Sequence, residues 1–414
     1  MKKIALLMQN MKKCTLTIVI FLFTTIVNAD VVSVNGINYE LNFEEKTATV
    51  TKTSFYGDLV LPSSIVYNDE TYIVTSIGAW AFDCADITSA VIPNSVTTIS
   101  YSAFFGCSNM ESIVIPSSVT LIGPDAFVNC KKLSVVYISD LEAWCKIKFE
   151  AQESNPLTHA KELYLDNELV KDVAIPNNIT EIGNYLFVNY SKLTSIIIHG
   201  DVTTIGDFAF SGCSNMSAID IPSSVVKIGA SSFSGCTGLT SVKIGENVGT
   251  IGRSAFAGCS GLESIVIPDK VTWVGWSSFY KCTNLKKIYL GKAVTTIDPE
   301  AFQYCKSMQD FYSFAEQVPS LVNNSAFWAS SFTTATLHVP ADLLESYKQS
   351  TSAWNRFGSI VALTDEDTAI KPTILHFDNL REYYNLNGQR HEFPQHGFNI
   401  VRMTDGSYKK VLMK

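Results

Sequence analysis

A period of 23 residues governs this chain. The pair Ile-Gly, with Phe four residues after the Gly, recurs from Ile77 to Ile297. Its first residue falls at Ile77, Ile99, Ile122, Ile182, Ile205, Ile228, Ile251, Val274 and Ile297, with Ser100 and Asp298 in place of Gly in two copies. The intervals are 22, then 23, then one gap of 60, then five of 23. Phe82, Phe104, Phe127, Phe187, Phe210, Phe233, Phe256, Phe279 and Phe302 keep the register, and Cys follows three residues later in seven copies. Cys84 arrives one residue early, and Tyr190 replaces Cys in the fourth copy. Self-similarity at this length is the signature of stacked repeats.

A reactive centre needs one constellation of unlike groups, whereas a fixed period sets like groups side by side. Ser254 and Cys259 in Ile251–Ser260 are therefore repeat positions. In Leu262–Ile267, Leu262, Ile265 and Ile267 point inward and Val266 outward, which predicts a short strand closed by Pro268. Gly275 permits a sharp turn, and the three-residue spacing of Phe279 and Cys282 predicts one face of a helical turn. One such unit cannot cover its apolar face, but stacked units bury it between neighbours. The expectation is a leucine-rich-repeat-like solenoid of about 23 residues per coil, built of parallel β-strands and short helical turns, with a cap at each end. The phenylalanines should form an internal spine.

The cysteines read as core thiols. Ladder positions on adjacent coils lie about 4.8 Å apart, whereas disulfide Cβ atoms prefer about 3.8 Å. There is no CxxC, and no His is paired with the ladder, so no metal site is expected.

The motifs resemble those of the BspA-like leucine-rich repeat family. The strand ESIVIP occurs at Glu111–Pro116 and again at Glu263–Pro268. The I-P-S-S-V element occurs at Ile115–Val119 and at Ile221–Val225. The likeness runs from Ile77 to Phe314, and it implies an extracellular solenoid with a role in adhesion and host or matrix binding. It also implies caps. Residues 30–75 are expected as an N-terminal β cap, with Asn35-Gly36 as a hairpin turn. The solenoid spans 76–318 with an enlarged coil at 139–175, and residues 319–362 form the C-terminal cap. In the enlarged coil, Leu141–Lys148 reads as an amphipathic turn or helix. A polar stretch, Glu150–Ala160, and a strand-like Glu162–Leu165 follow, and the insert as a whole would project as a side loop or be a harmless insertion.

Binding is expected on the outward strand positions, because the inward ones are committed to the core. The column of Val266 includes Tyr137, Ile197, Asp220, Lys243, Val266, Tyr289 and Tyr312, and it is apolar for a solvated face. Such a face suits an extended extracellular protein or polysaccharide, although β-branched and aromatic residues also simply favour strands. The six histidines are scattered, and there is no HExxH, GxSxG, P-loop or GxGxxG. No catalytic residues and no cofactor are expected, and the chain reads as non-enzymatic.

Both ends carry further signals. Lys2, Lys3, Lys12 and Lys13 flank an apolar run from Cys14 to Val27, and Ala29 closes a stretch suited to leader cleavage. A signal peptide at 1–29 is expected. Its removal would take four of the 31 basic residues and none of the 39 acidic ones, which leaves 27 against 39, a net charge of −12. That excess repels phosphate backbones, so nucleic acid is not an expected partner. Residues 363–414 read as a linker, opened by the acidic run Thr364–Asp367, and a short β-rich domain with turn signals at Asn387-Gly388 and Asp405-Gly406. The run Tyr384–Gln389, the strand Phe398–Val401 and the final Lys410-Val411-Leu412-Met413-Lys414 resemble the C-terminal β-domains of exported proteins from the same bacterial group. That likeness implies sorting or attachment at the outer surface of the cell; a small cap is the plainer reading. The expectation is an exported cell-surface protein that binds through its solenoid face. The alternative is an envelope spacer with no specific ligand.

Overall fold

The computed structural model describes residues 30–368 and, beyond them, strands at 382–385, 390–391, 397–402 and 408–413. The expected leader lies outside the described residues. Each coil crosses two parallel ladders. In the longer-stranded ladder, Asp86–Val91, Ser112–Ile115, Val135–Ile138 and Glu162–Leu165 pair in sequence order. It resumes from Asp172–Ala174 and ends with Thr336–Val339 beside Ser359–Ala362. Two-residue strands form the other ladder, from Thr98–Ile99 to Lys148–Phe149 and again from Glu181–Ile182 to Ser320–Leu321. The architecture is a β-solenoid of about 23 residues per coil with little helix.

The third wall departs from the sequence expectation. The Phe-x-x-Cys segment is not a helical turn but a chain of tight turns. In one coil Ala255, Ala257 and Cys259 donate to Gly252, Ser254 and Phe256 within the coil. The alternate amides Ser254, Phe256 and Gly258 donate to Trp276, Ser278 and Tyr280 of the next coil. A helix would spend all these donors internally; stacking demands that half of them run along the axis. The alternation requires left-handed backbone on both sides of the Phe, at Ser254 (φ 55°) and Gly258 (φ 72°). Glycine meets that need at the second position without steric cost.

The Phe spine forms. Phe210, Phe233, Phe256, Phe279 and Phe302 stack nearly parallel, with centroids 5.2–5.5 Å apart. All are buried. Beside them each ladder thiol donates to the carbonyl of the Phe one coil back, as Cys259 does to Phe233 at 3.2 Å. All nine described cysteines are free; eight are buried and Cys84 is exposed.

Antiparallel strands Val31–Val34, Ile37–Asn42 and Thr47–Val50 close the first end, with the Asn35-Gly36 turn in left-handed backbone (φ 52° and 79°). At the other end Phe327 continues the spine, and Phe311, Trp354 and Phe357 pack around it edge to face. Trp354 Nε1 donates to the Pro319 carbonyl at 2.8 Å.

The enlarged coil opens with an α-helix at Leu141–Lys146, N-capped by Asp140. Its polar stretch is not a projecting loop. Ser154, Asn155, Leu157 and Ala160 are buried. Asn155 Nδ2 donates to the carbonyls of Tyr185 (2.8 Å) and Leu186 (3.1 Å), and Oδ1 accepts from Leu157 N (2.9 Å). One side chain thus joins this coil to the turn wall of the next. The tail strands form an antiparallel sheet in the order 390–391, 382–385, 397–402, 408–413. The turn signals Asn387-Gly388 and Asp405-Gly406 lie outside the described residues.

Candidate functional site

The outward column is in register but does not form one open face. At its first end Val60, Val91, Val114, Tyr137 and Tyr164 lie side by side on paired strands. Val60 and Val91 are exposed, and Val114, Tyr137 and Tyr164 are half-buried. The Tyr137 and Tyr164 rings stack 5.4 Å apart, and the Tyr164 hydroxyl donates to Glu162 Oε2 at 3.1 Å. Tyr164 was not among the residues expected here, because the irregular coil conceals its register. Its signal is the alternation in Glu162–Leu165, which matches that of Val135–Ile138.

Further along, Asp220 and Lys243 are paired across adjacent strands, Nζ to Oδ1 4.0 Å, and both are half-buried. Ile197 is not available: Ser195, Ile196 and Ile197 are all buried, so that strand has no open face.

The last third of the column is also closed. Val266, Tyr289 and Tyr312, expected as free surface, are 6 %, 3 % and 6 % exposed. They do point away from the main core and form a separate apolar cluster, with Phe314 and Leu363 packed against it. Tyr289 and Tyr312 stack at 4.7 Å, and His338 stacks on Tyr312 at 4.2 Å. Burial pushes both phenols up from their ordinary pKa. The acidic run forms part of this closure rather than starting a linker. Residues 365–368 make a helical turn in which Thr364 and Asp367 cap each other: Thr364 N donates to Asp367 Oδ2 at 2.9 Å, and Asp367 N to Thr364 Oγ1 at 3.1 Å. Asp367 then faces His338 Nδ1 at 3.6 Å, while Asp310 meets Nε2 at 3.3 Å. Of the seven candidate residues, Tyr137, Asp220 and Lys243 remain accessible.

Burial pushes the Cys107, Cys145 and Cys236 thiols up to about 12, far from thiolate chemistry at neutral pH. Among the described residues no group of three or more His, Cys, Asp or Glu side chains is placed to hold a metal ion.

The BspA type leucine rich repeat region matches this chain in six copies, over residues 35–155, 158–267 and 227–348. Among solved structures, a leucine-rich repeat protein from Bacteroides ovatus is 25% identical, covers 80% of this chain and 100% of its own, and has a TM-score of 0.45. A leucine rich cell surface protein from Faecalibacterium prausnitzii is 22% identical over 84% of this chain and 98% of its own, with a TM-score of 0.42. The pneumococcal vaccine antigen PcpA is 17% identical over 81% and 99%, with a TM-score of 0.44. No curated protein matches in sequence.

Proposed function

Because this chain belongs to the BspA-type leucine-rich repeat family, we propose that it is an exported, surface-associated scaffold that binds an extended extracellular partner, protein or polysaccharide. Binding uses the open stretch of the outward column. The observation that carries this reading is the stacked pair Tyr137 and Tyr164, which continues the apolar line of the exposed Val60 and Val91 and the half-buried Val114. Tyrosine combines a large apolar contact with a hydrogen-bonding tip. A rigid sheet presents such groups at strand spacing, so successive units of an extended partner meet successive coils. The C-terminal sheet serves sorting or attachment at the cell surface.

The test is a screen of extracellular-matrix proteins and glycans against the full chain, repeated with Tyr137→Ser/Tyr164→Ser. Loss of at least tenfold in affinity for whatever binds supports the face. Unchanged affinity removes it, and the absence of any ligand favours the spacer reading. Comparing the location of the full chain with that of a chain ending at Ala362 tests the tail; identical surface display rules out a sorting role.

A further inference from the structure

On the turn wall, away from the outward column, the last coils carry an aromatic and cationic stripe. Trp276 and Trp328 are 41 % and 57 % exposed, and Tyr280 and Tyr304 are half-buried. Tyr280 meets Tyr304 at 5.6 Å, and Tyr304 meets Trp328 at 5.5 Å, both edge to face. Lys281 Nζ lies over the rings of Tyr280 (5.1 Å) and Tyr304 (5.9 Å), and Lys306 Nζ lies over Tyr304 (5.9 Å). Four rings and two cations therefore line neighbouring coils at one edge.

The backbone gives a second, independent sign. The residue two after each spine Phe is left-handed throughout. After Cys84 in the first coil, that place is held by Gly106, Asn129, Asn189, Gly212, Gly235 and Gly258, residue types that adopt this backbone most readily. The last three coils put Lys281 (φ 58°), Tyr304 (φ 62°) and Ala329 (φ 56°) there instead. The fold gains nothing from a long side chain at a position that glycine fills without strain. Lys281 and Tyr304 thus add long side chains to the turn wall where the six preceding coils have Gly or Asn.

We infer that this edge is a second binding surface, for a polysaccharide that contains uronic acids. Exposed rings take the apolar C–H faces of sugars, and lysines between them take the carboxylates. The chain as a whole carries −8, whereas here Lys281, Lys306 and Arg253, the last over the Trp276 ring at 5.1 Å, outnumber Glu300, which accepts from Trp276 Nε1 at 3.1 Å and from Ser277 Oγ at 2.8 Å. Single-stranded nucleic acid is the other polymer that aromatic–cationic surfaces bind, through successive bases stacked on ring faces. Rings set edge to face, at 83° and 71°, do not offer the parallel slots this needs.

The experiment titrates the full chain with hyaluronan and with polygalacturonate, then with the same polymers after esterification of their carboxylates. A single-stranded oligonucleotide is added as competitor. Binding to at least one acidic polymer is expected, at least tenfold weaker after esterification and unaffected by the oligonucleotide. Lys281→Gly/Tyr304→Gly restores the residue used by other coils, so its melting temperature should not fall while affinity drops at least tenfold. No binding to either polymer, equal affinity in the double variant, or displacement by the oligonucleotide overturns the inference. The Tyr137 and Tyr164 variants lie on another wall and should leave this binding unchanged, so the two surfaces fail or stand separately.

Discussion

At the scale of single residues, the repeat makes burial predictable and reactivity low. Phe256 sits between Phe233 at 5.2 Å and Phe279 at 5.5 Å with no solvent contact. Phe256→Ala should cost about 3–5 kcal/mol, read from urea unfolding, because rigid neighbours cannot collapse into the space. The thiols give a second readout. Among the nine described cysteines, alkylation of the native chain should modify Cys84 alone, and the eight buried thiols should react only in denaturant. They also set an alkaline limit. An unfolded thiol loses its proton near its ordinary value of 9.0, whereas Cys107, Cys145 and Cys236 hold theirs to about 12. Between those values the unfolded chain binds fewer protons, so stability falls as pH rises. The unfolding free energy from urea titration should be flat from pH 7 to 8 and fall from pH 9 to 10.5, by at most about 1.4 kcal/mol per pH unit for each thiol. Buried Tyr39 and Tyr347, also pushed up to about 12, act in the same direction.

At the scale of elements, what was legible is what a period shows: the strand Ser264–Val266, the inward Ile265 and Ile267, and the Asn35-Gly36 hairpin all follow from alternation and turn chemistry. The turn wall was misread because a three-residue spacing fits both a helical turn and a chain of tight turns. What separates them is where the amides go, and that depends on the neighbouring coil. The enlarged coil was misread for a related reason. Asn155 looks like loop polarity in sequence, and its partners at Tyr185 and Leu186 are 30 and 31 residues away. Asn155→Ala leaves those buried carbonyls and the Leu157 amide without their partner. It should cost about 2–4 kcal/mol, with faster hydrogen exchange concentrated at the junction of the two coils.

At the scale of the whole molecule, the solenoid must stop, and its two ends solve that differently. The first end turns a parallel ladder into antiparallel hairpins, which the turn signals announce. The last end folds residues 363–368 back over the outward column, a contact that no local pattern encodes. Three of the seven expected binding residues were lost for that reason, Val266, Tyr289 and Tyr312: the tyrosines have the residue types of a binding surface, and the covering segment lies more than 50 residues beyond them. Buried aromatic rings, a half-buried Leu363, and His338 held between Asp310 and Asp367 make this closure apolar at its centre and polar at its rim. A chain ending at Ala362 should therefore expose Val266, Tyr289 and Tyr312 together. Burial of a few apolar side chains is worth about 1.5–3 kcal/mol each when complete, and a segment that only partly covers them contributes less. The expected result is a loss of about 1–3 kcal/mol, with a gain in fluorescence of an apolar dye and concentration-dependent association through the uncovered face. Leu363→Asp in the full chain should reproduce the dye signal. If both chains stay monomeric and dark to the dye, the segment is an ornament on the last coils and the outward column is closed by something else.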